Sequence, residues 1–394
     1  MMSADLVVGV IGAGAMGGGI AQVAAAAGHR VVLGDARSGA VAHARTSIAK
    51  SLAREIEKGR MDEPAVSPLL RRIDDAGDLS RDYSAFAQCG IVIEAVLEDL
   101  AAKATLFGAL EEAVSAECVL ATNTSSLSVT AIAAGCARSE RVVGLHFFNP
   151  AAVMPLVEIV SGLATSPDVV ERAVSLVESW RKTTVVASDT PGFIVNRIAR
   201  PFYSESLRQF EEGIADVATI DWAMRELGGF RMGPFELMDF IGNDVNYAVT
   251  TSVFDAFYHD SRYRPSMIQR RLVDAGWYGR KSGRGFYDYR GGAERPEPTQ
   301  DESIGWRIVD RTIAMLVNSA VDALHMGVAF AADIETAMTK GVNYPKGLLA
   351  WGDEIGAAEI LGRLEELQLT FGEERYRPSP LLRRRVREHA PLLG

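Results

Sequence analysis

His146 ends the apolar run Val142-Val143-Gly144-Leu145, and Glu158 lies twelve positions later inside another, Leu156-Val157-Glu158-Ile159-Val160. Oxidising a secondary alcohol removes a hydride from carbon and a proton from oxygen. The proton needs a base whose pKa lies near the working pH, and imidazole is suited to that task. Of the six histidines (29, 43, 146, 259, 325 and 389), His146 alone follows a run with the character of a buried strand. An acid isolated among apolar neighbours is costly to bury without a partner. Glu158 is therefore expected on the second ring nitrogen, fixing the tautomer and stabilising the imidazolium. The alcohol oxygen also needs a polar partner. Ser125, in Asn123-Thr124-Ser125-Ser126, and Asn196, in Gly192-Phe193-Ile194-Val195-Asn196, are candidates, although taken alone each would read as a cap or turn residue.

A hydride acceptor is indicated at the start of the chain. Leu6–Ile11 reads as a buried strand, Gly12-Ala13-Gly14-Ala15-Met16-Gly17 as a tight turn, residues 15–28 as an apolar helix and His29–Asp35 as a second strand closing on an acid. This is the order of a dinucleotide-binding βαβ unit. Gly12 permits the turn, Gly14 lets a pyrophosphate approach the backbone and Gly17 lets helix pack on strand. The helix N-terminus offers free N–H groups to the phosphates. Asp35 is placed to bind the ribose 2′-hydroxyl and to repel a 2′-phosphate, which favours NAD over NADP, with Arg37 close enough to soften that preference.

Strands are also expected at Ile91–Val96, Val119–Thr122, Arg141–Leu145, Leu156–Val160 and Thr184–Ala187, with an amphipathic helix over 99–114. This alternation predicts an α/β, Rossmann-like domain with a mostly parallel sheet covered on both faces. Ligands in such sheets bind beyond the carboxyl ends of the strands, where Ser125 and His146 are both expected.

With 394 residues the chain exceeds one ordinary core. A net charge of −10 argues against a general nucleic-acid binder, and the arginine-rich tail alternates with leucine and valine like a solvated helix face. Three cysteines without a CxxC pair suggest a reducing compartment and no structural metal. The apolar stretch 7–28 is too rich in glycine for a membrane span. The opening Met-Met-Ser-Ala-Asp lacks the positive charge of a signal peptide. A cytoplasmic location is expected.

These blocks together resemble the L-3-hydroxyacyl-CoA dehydrogenase family, of the 3-hydroxybutyryl-CoA type. The resemblance rests on GAGAMGGGIAQ (12–22), VIEAVLED (92–99), ATNTSSL (121–127), GLHFFNP (144–150), LVEIV (156–160), DTPGFIVNR (189–197), GPFELMDFIG (233–242) and GRKSGRGFYDY (279–289). It implies reversible, NAD-dependent oxidation of an L-3-hydroxyacyl-CoA to the 3-ketoacyl-CoA. His146 would be the general base and Glu158 its partner, and Ser125 and Asn196 would hold the 3-oxygen. Gly12, Gly14, Met16, Gly17, Asp35, Glu98, Lys103, Asn123, Asn149 and Lys281 would contact NAD. Ser51 and Lys58, seven apart and expected on one helix face, would contact coenzyme A. Two rival readings are a dehydrogenase of free 3-hydroxy acids, of the gulonate or carnitine type, and a crystallin-like structural protein without catalysis.

The region after residue 189 reads as helical and repeats itself. Asn196-Arg197 matches Asp310-Arg311, Gly213 matches Gly327, and Asp239 and Gly242 match Asp353 and Gly356, all at a shift of 114. Arg262-Tyr263-Arg264-Pro265-Ser266 matches Arg375-Tyr376-Arg377-Pro378-Ser379 at 113. The expected organisation is a nucleotide domain over 1–188, a helical domain over 189–291, a linker over 292–303 and a second helical domain over 304–394. The second copy lacks the counterpart of Asn196. It is read as a built-in pseudo-dimer partner, with the chain itself a monomer or a homodimer.

Overall fold

The computed structural model describes residues 6–60, 62–79 and 82–394; the charge-poor N-terminal pentapeptide lies outside them. The chain divides into two compact units, Met1–Thr190 and Pro191–Gly394.

The first unit is built on an eight-stranded sheet in the order β3-β2-β1-β4-β5-β6-β7-β8. The strands are β1 Val7–Ile11, β2 Val31–Gly34, β3 Ile73–Asp75, β4 Cys89–Glu94, β5 Val119–Thr122, β6 Val142–Phe147, β7 Leu156–Ser161 and β8 Thr183–Ser188. β1 pairs with both β2 and β4 in parallel, so the chain order reverses at the glycine turn that follows β1. Valine, isoleucine and leucine supply at least half of β1, β2, β4 and β6, as strands buried on both faces require. β7, with β8 parallel to it, is the exception to parallel order. It runs antiparallel to β6, in a register that sets His146 opposite Glu158. His146 therefore lies within β6, one residue before its end, and not beyond it as expected. The short strand β3 was not anticipated from the sequence: Ile73-Asp74-Asp75 carries a single apolar residue. Residues 7–28, the most apolar stretch near the start, fold as strand, turn and helix. No helix among the described residues is long and apolar enough to cross a membrane.

The second unit is helical. A 24-residue helix, Glu302–His325, runs through it with most of its residues buried. It packs along the Arg200–Glu211 helix of the preceding half, so the segment expected as a linker joins two halves of one compact body. That segment is itself anchored: Arg295 reaches Glu236 at 2.6 Å, and Thr299 N–H donates to Thr219 at 2.9 Å.

The repeat is visible in how each half is held. Asp221 accepts from the N–H groups of Phe235 and Glu236, the first turn of the Pro234–Ile241 helix. Glu335 accepts from Leu349 and Ala350, the first turn of Leu348–Ile355, every position displaced by 114. Asp239 accepts from Phe286 and Tyr287 N–H, and its counterpart Asp353 accepts from Leu392 and Leu393 N–H. Gly242 and Gly356 both turn with positive φ, +108° and +104°, a region that favours glycine. The second half thus keeps the carboxylate clamp even though the GRKSGRGFYDY segment has shrunk to a short tail.

Candidate active site

The turn after β1 meets the steric demands of a bound dinucleotide. A Cβ on Gly12 would lie 2.4 Å from the carbonyl oxygen of Ala95, and one on Gly17 would lie 1.7 Å from that of Gly12. Both positions must be glycine for the strand, turn and helix to pack. Gly14 differs, because a Cβ there would meet nothing within 4 Å. Its side is open, on a cavity of about 790 Å³ whose walls include Ala13, Gly14, Arg37, Ser51, Arg54 and Asn149. No acidic residue occupies the first turn of the Ala15–Ala26 helix, which keeps its positive dipole end available to an anion. Met16 packs against the core behind this turn and does not line the cavity.

Asp35 lies just past β2. Its Oδ2 accepts from Ala13 N–H at 2.8 Å and from Arg37 Nη2 at 3.1 Å, and its Oδ1 accepts from Arg37 N–H at 2.8 Å and Nε at 3.1 Å. Burial pushes this carboxyl up, but the hydrogen bonds from Arg37 and Ala13 outweigh it and hold the group below the usual range. The acid is ionised and suited to a ribose diol, with the Arg37 fork lying across it.

Beyond β4 and β5 the loops are tied together by carboxylates. Glu94, fully buried, accepts from Thr122 Oγ1 and Val96 N–H, both at 2.7 Å, and holds the ammonium of Lys103. Lys103 is 1% exposed and also faces Glu98 at 3.3 Å. Its ammonium is enclosed between the two glutamates and does not line the cavity beside Gly14. Glu98 accepts from Thr124 Oγ1 at 2.5 Å, from Ser125 N–H at 2.9 Å and from the Ser125 hydroxyl at 3.5 Å. Burial is the strongest single influence on Glu98 and raises its pKa, yet Lys103, Thr124 and Ser125 together lower it below the ordinary carboxylate range. The Asn123 N–H donates to the Glu94 carbonyl, and its Oδ1 accepts from Phe147 N–H at 2.9 Å, which ties the loop bearing Ser125 to the strand bearing His146.

On β6, His146 Nδ1 lies 2.6 Å from Glu158 Oε2. Glu158 is fully buried and His146 nearly so, with the Phe148 ring 4.5 Å from the imidazole. A buried carboxylate on Nδ1 fixes the proton there and leaves Nε2 as the basic nitrogen.

Other expected site residues fall elsewhere. Ser51 lines the cavity. Lys58 does not: the Ala40–Glu57 helix ends one residue before it, and its ammonium pairs with Glu55 on the surface at 3.3 Å. The expectation that Ser51 and Lys58 share a helix face is corrected accordingly, and Arg54, one turn earlier, is the cation on that wall. Lys281 belongs to the second unit, where it pairs with Asp244 at 2.7 Å. Asn196 opens the helical unit on the four-residue helix Val195–Ile198. The sequence reading missed Glu94, Thr122 and Thr124. Glu94, a lone acid in the buried strand Ile91–Val96, carried the same signal that exposed Glu158.

Comparison with known proteins agrees with this geometry. Residues 7–190 match the NAD-binding domain of 3-hydroxyacyl-CoA dehydrogenase, and the C-terminal domain of the same family matches twice, at 192–289 and 308–391. The chain belongs to the 3-hydroxyacyl-CoA dehydrogenase family and is an NAD-dependent oxidoreductase acting on L-3-hydroxyacyl-CoA. It is 41% identical to a 3-hydroxyadipyl-CoA dehydrogenase of Escherichia coli K12, over 96% of this chain and 97% of that one. A probable 3-hydroxybutyryl-CoA dehydrogenase of Bacillus subtilis is 42% identical over 71% of this chain and 96% of its own length. Among solved structures, a 3-hydroxybutyryl-CoA dehydrogenase of Escherichia coli K12 superposes with a TM-score of 0.91 at 40% identity, covering 98% of both chains.

Proposed function

We propose that His146 is the general base of the oxidation and that Glu158 holds its tautomer and balances the charge formed when it accepts the proton. The 2.6 Å contact between the two buried side chains carries this reading. NAD, when bound, supplies the hydride acceptor. Gly12, Gly14 and Gly17 shape its cradle and Asp35 binds its ribose, while Asn123 and Asn149 border it. Ser125, held by Glu98, and Asn196 bond the 3-oxygen and orient it toward the imidazole. Glu98 and Lys103 act through this loop. Ser51 and Arg54 receive the phosphate-bearing part of coenzyme A, a cation and a hydroxyl suited to an anionic handle, and Lys281 and Lys58 are peripheral to both ligands.

The second helical copy supplies structure and no second site: Asp310 stands in place of Asn196 and is tied to Arg363 at 3.0 Å. It serves as a pseudo-dimer partner within one chain, and the enzyme works in the cytoplasm. The decisive test follows NADH oxidation with a 3-ketoacyl-CoA. Loss of turnover in His146→Ala with NADH binding intact supports the assignment. A variant with near wild-type turnover overturns it.

A further inference from the structure

Six arginines are buried among the described residues: 141, 197, 200, 208, 311 and 375. Five have a carboxylate within salt-bridge reach. Arg141 meets Glu111 at 3.2 Å and Arg197 meets Asp322 at 3.1 Å. Arg208, Arg311 and Arg375 meet Glu205 at 3.9, 3.0 and 3.7 Å. Arg200 differs. The ionisable groups that its charge reaches are the hydroxyls of Tyr203 and Tyr344. Its Nη1 donates to Thr250 Oγ1 at 3.0 Å, the Tyr203 ring lies 5.0 Å from its guanidinium carbon, and its Nε has no acceptor. The Tyr344 hydroxyl, contributed by the second helical copy, is likewise buried without a partner.

A guanidinium does not shed its proton in a protein, and a buried charge without a counter-charge is strongly unfavourable. Arg200 and Tyr344 therefore provide a cation and two unmatched donors, which a carboxylate would satisfy. The position is informative. Arg200 follows Asn196 by four residues, and Ala199, between the Val195–Ile198 and Arg200–Glu211 helices, keeps a right-handed helical conformation. Side chains four apart lie on one helix face, separated by a rise of about 6 Å. In a six-carbon acyl chain with a terminal carboxylate, three carbon–carbon bonds separate C3 from the carboxylate carbon, a span on the order of 4 Å. With the 3-oxygen at Asn196, the far carboxylate falls about one helical turn along, at Arg200.

Resting on the reading of Asn196 as a group that holds the 3-oxygen, we propose that Arg200 selects acyl-CoA substrates ending in a carboxylate, with the Tyr344 hydroxyl as second donor. The tandem helical copy then has a role in specificity as well as in packing.

The test compares kcat/KM for 3-ketoadipyl-CoA and 3-ketohexanoyl-CoA, with NADH and the full-length enzyme. The wild type should favour the dicarboxylate by at least about tenfold. Arg200→Met should lower that ratio by about ten- to hundredfold, mainly through KM, as expected for a lost charge-assisted hydrogen bond. Tyr344→Phe should lower it a few-fold. Where Arg200→Met does not fold, Arg200→Lys decides the matter: it keeps the charge but not the planar fork, and the ratio should fall between the extremes. A wild type that prefers hexanoyl, or folded Arg200 and Tyr344 variants with an unchanged ratio, overturns the proposal while leaving the dehydrogenase reading intact. Asn196→Ala separates the two claims, because it should depress turnover of both substrates alike. If it does not, the reading of Asn196 fails, and the proposal with it.

Discussion

His146 and Glu158 face each other directly across the antiparallel pair β6–β7, with Nδ1 and Oε2 2.6 Å apart. In a sheet whose other ladders are parallel, this one reversal sets the two side chains opposite each other on the same face. A one-residue slip would turn one of them to the other face. The hydrogen-bonded backbone of two buried strands therefore fixes the acid against the base.

Removing either partner should separate chemistry from binding. His146→Ala should lower kcat by roughly two to four orders of magnitude, with the NADH dissociation constant unchanged by fluorescence titration. Glu158→Gln keeps the shape but no longer stabilises the imidazolium, and it should lower kcat by a comparable factor. It should also move the basic limb of the pH–rate profile to lower pH. A Glu158→Gln enzyme with an unaltered profile would show that the acid only packs.

Arg37 and Asp35 set the cofactor preference. The bonds from Arg37 and Ala13 use the acceptor sites that a ribose hydroxyl would need, so NAD must displace the guanidinium from the carboxylate. Arg37→Ala should leave KM for NAD equal or lower and widen the preference over NADP. Asp35→Ser frees Arg37 for a 2′-phosphate and should narrow that preference by about tenfold or more. Steady-state kinetics with both cofactors checks this, and an unchanged ratio in Asp35→Ser refutes it.

The legible parts of the chain were those in which one residue type breaks a pattern. Glu158 stood out because it interrupts an apolar strand, and the glycine turn because its spacing has a steric reason. The repeat showed itself at a shift of 114 that drops by one residue only near its end. β3 was hidden because a three-residue edge strand with two aspartates has no periodicity to detect. The reversal of β7 was hidden because an apolar run reads the same in either direction. Lys103 and Lys58 show a further limit. Both are single lysines near acids, one inside the Leu100–Ala113 helix and one at a helix end, and only packing shows that the first is enclosed and the second exposed.

The enclosed Lys103–Glu94 pair makes a stability prediction. Lys103→Met leaves Glu94 charged and fully buried, which should cost about 3–5 kcal/mol in the unfolding free energy of the first unit. The double variant Glu94→Gln with Lys103→Met should recover a good part of that loss, because no charge is left stranded. Urea unfolding of the four proteins in the cycle measures the coupling. A simple sum of the two single effects would mean that the pair is not coupled.

Asp221 makes the helical unit sensitive to pH. Burial pushes its carboxyl up to about 7, against the lowering effect of hydrogen bonds from Tyr287, Phe235 and Glu236. A folded-state pKa above the unfolded value of about 4 means that the folded protein holds this proton more tightly. The associated stability is fully present below pH 4 and is lost as the pH rises through 7. Asp221→Asn, which cannot ionise, should lack this loss. The wild-type-minus-variant difference in unfolding free energy should fall by a few kcal/mol between pH 4 and pH 8. A flat difference would place Asp221 near its ordinary pKa.

Arg197 and Arg311, repeat-equivalent at a shift of 114, test the pseudo-dimer reading because each ends on acids of the opposite copy. Arg197 reaches Asp322 at 3.1 Å; Arg311 reaches Glu205 at 3.0 Å and Glu212 at 2.6 Å, and its Nη2 donates to the Tyr376 hydroxyl at 2.6 Å. Equivalent arginines thus cross in both directions, as at a two-fold interface, but onto acids that are not repeat counterparts: Asp322 corresponds to Arg208 and Glu205 to Ser319. Gln209 and Thr312 add a buried hydrogen bond between the same two long helices. Arg311→Met removes the nearest of the three guanidinium groups around Glu205, leaving Arg375 at 3.7 Å and Arg208 at 3.9 Å, and should destabilise the helical unit by about 1–3 kcal/mol. Deleting residues 292–394 should go further, by uncovering the apolar face of the Arg200–Glu211 helix. The truncated protein should then self-associate, each molecule seeking in a second copy the surface it has lost. Sedimentation of full-length and truncated chains decides the point. A truncated protein that remains monomeric, with an unchanged unfolding midpoint, would show that the second copy does not stand in for a dimer partner.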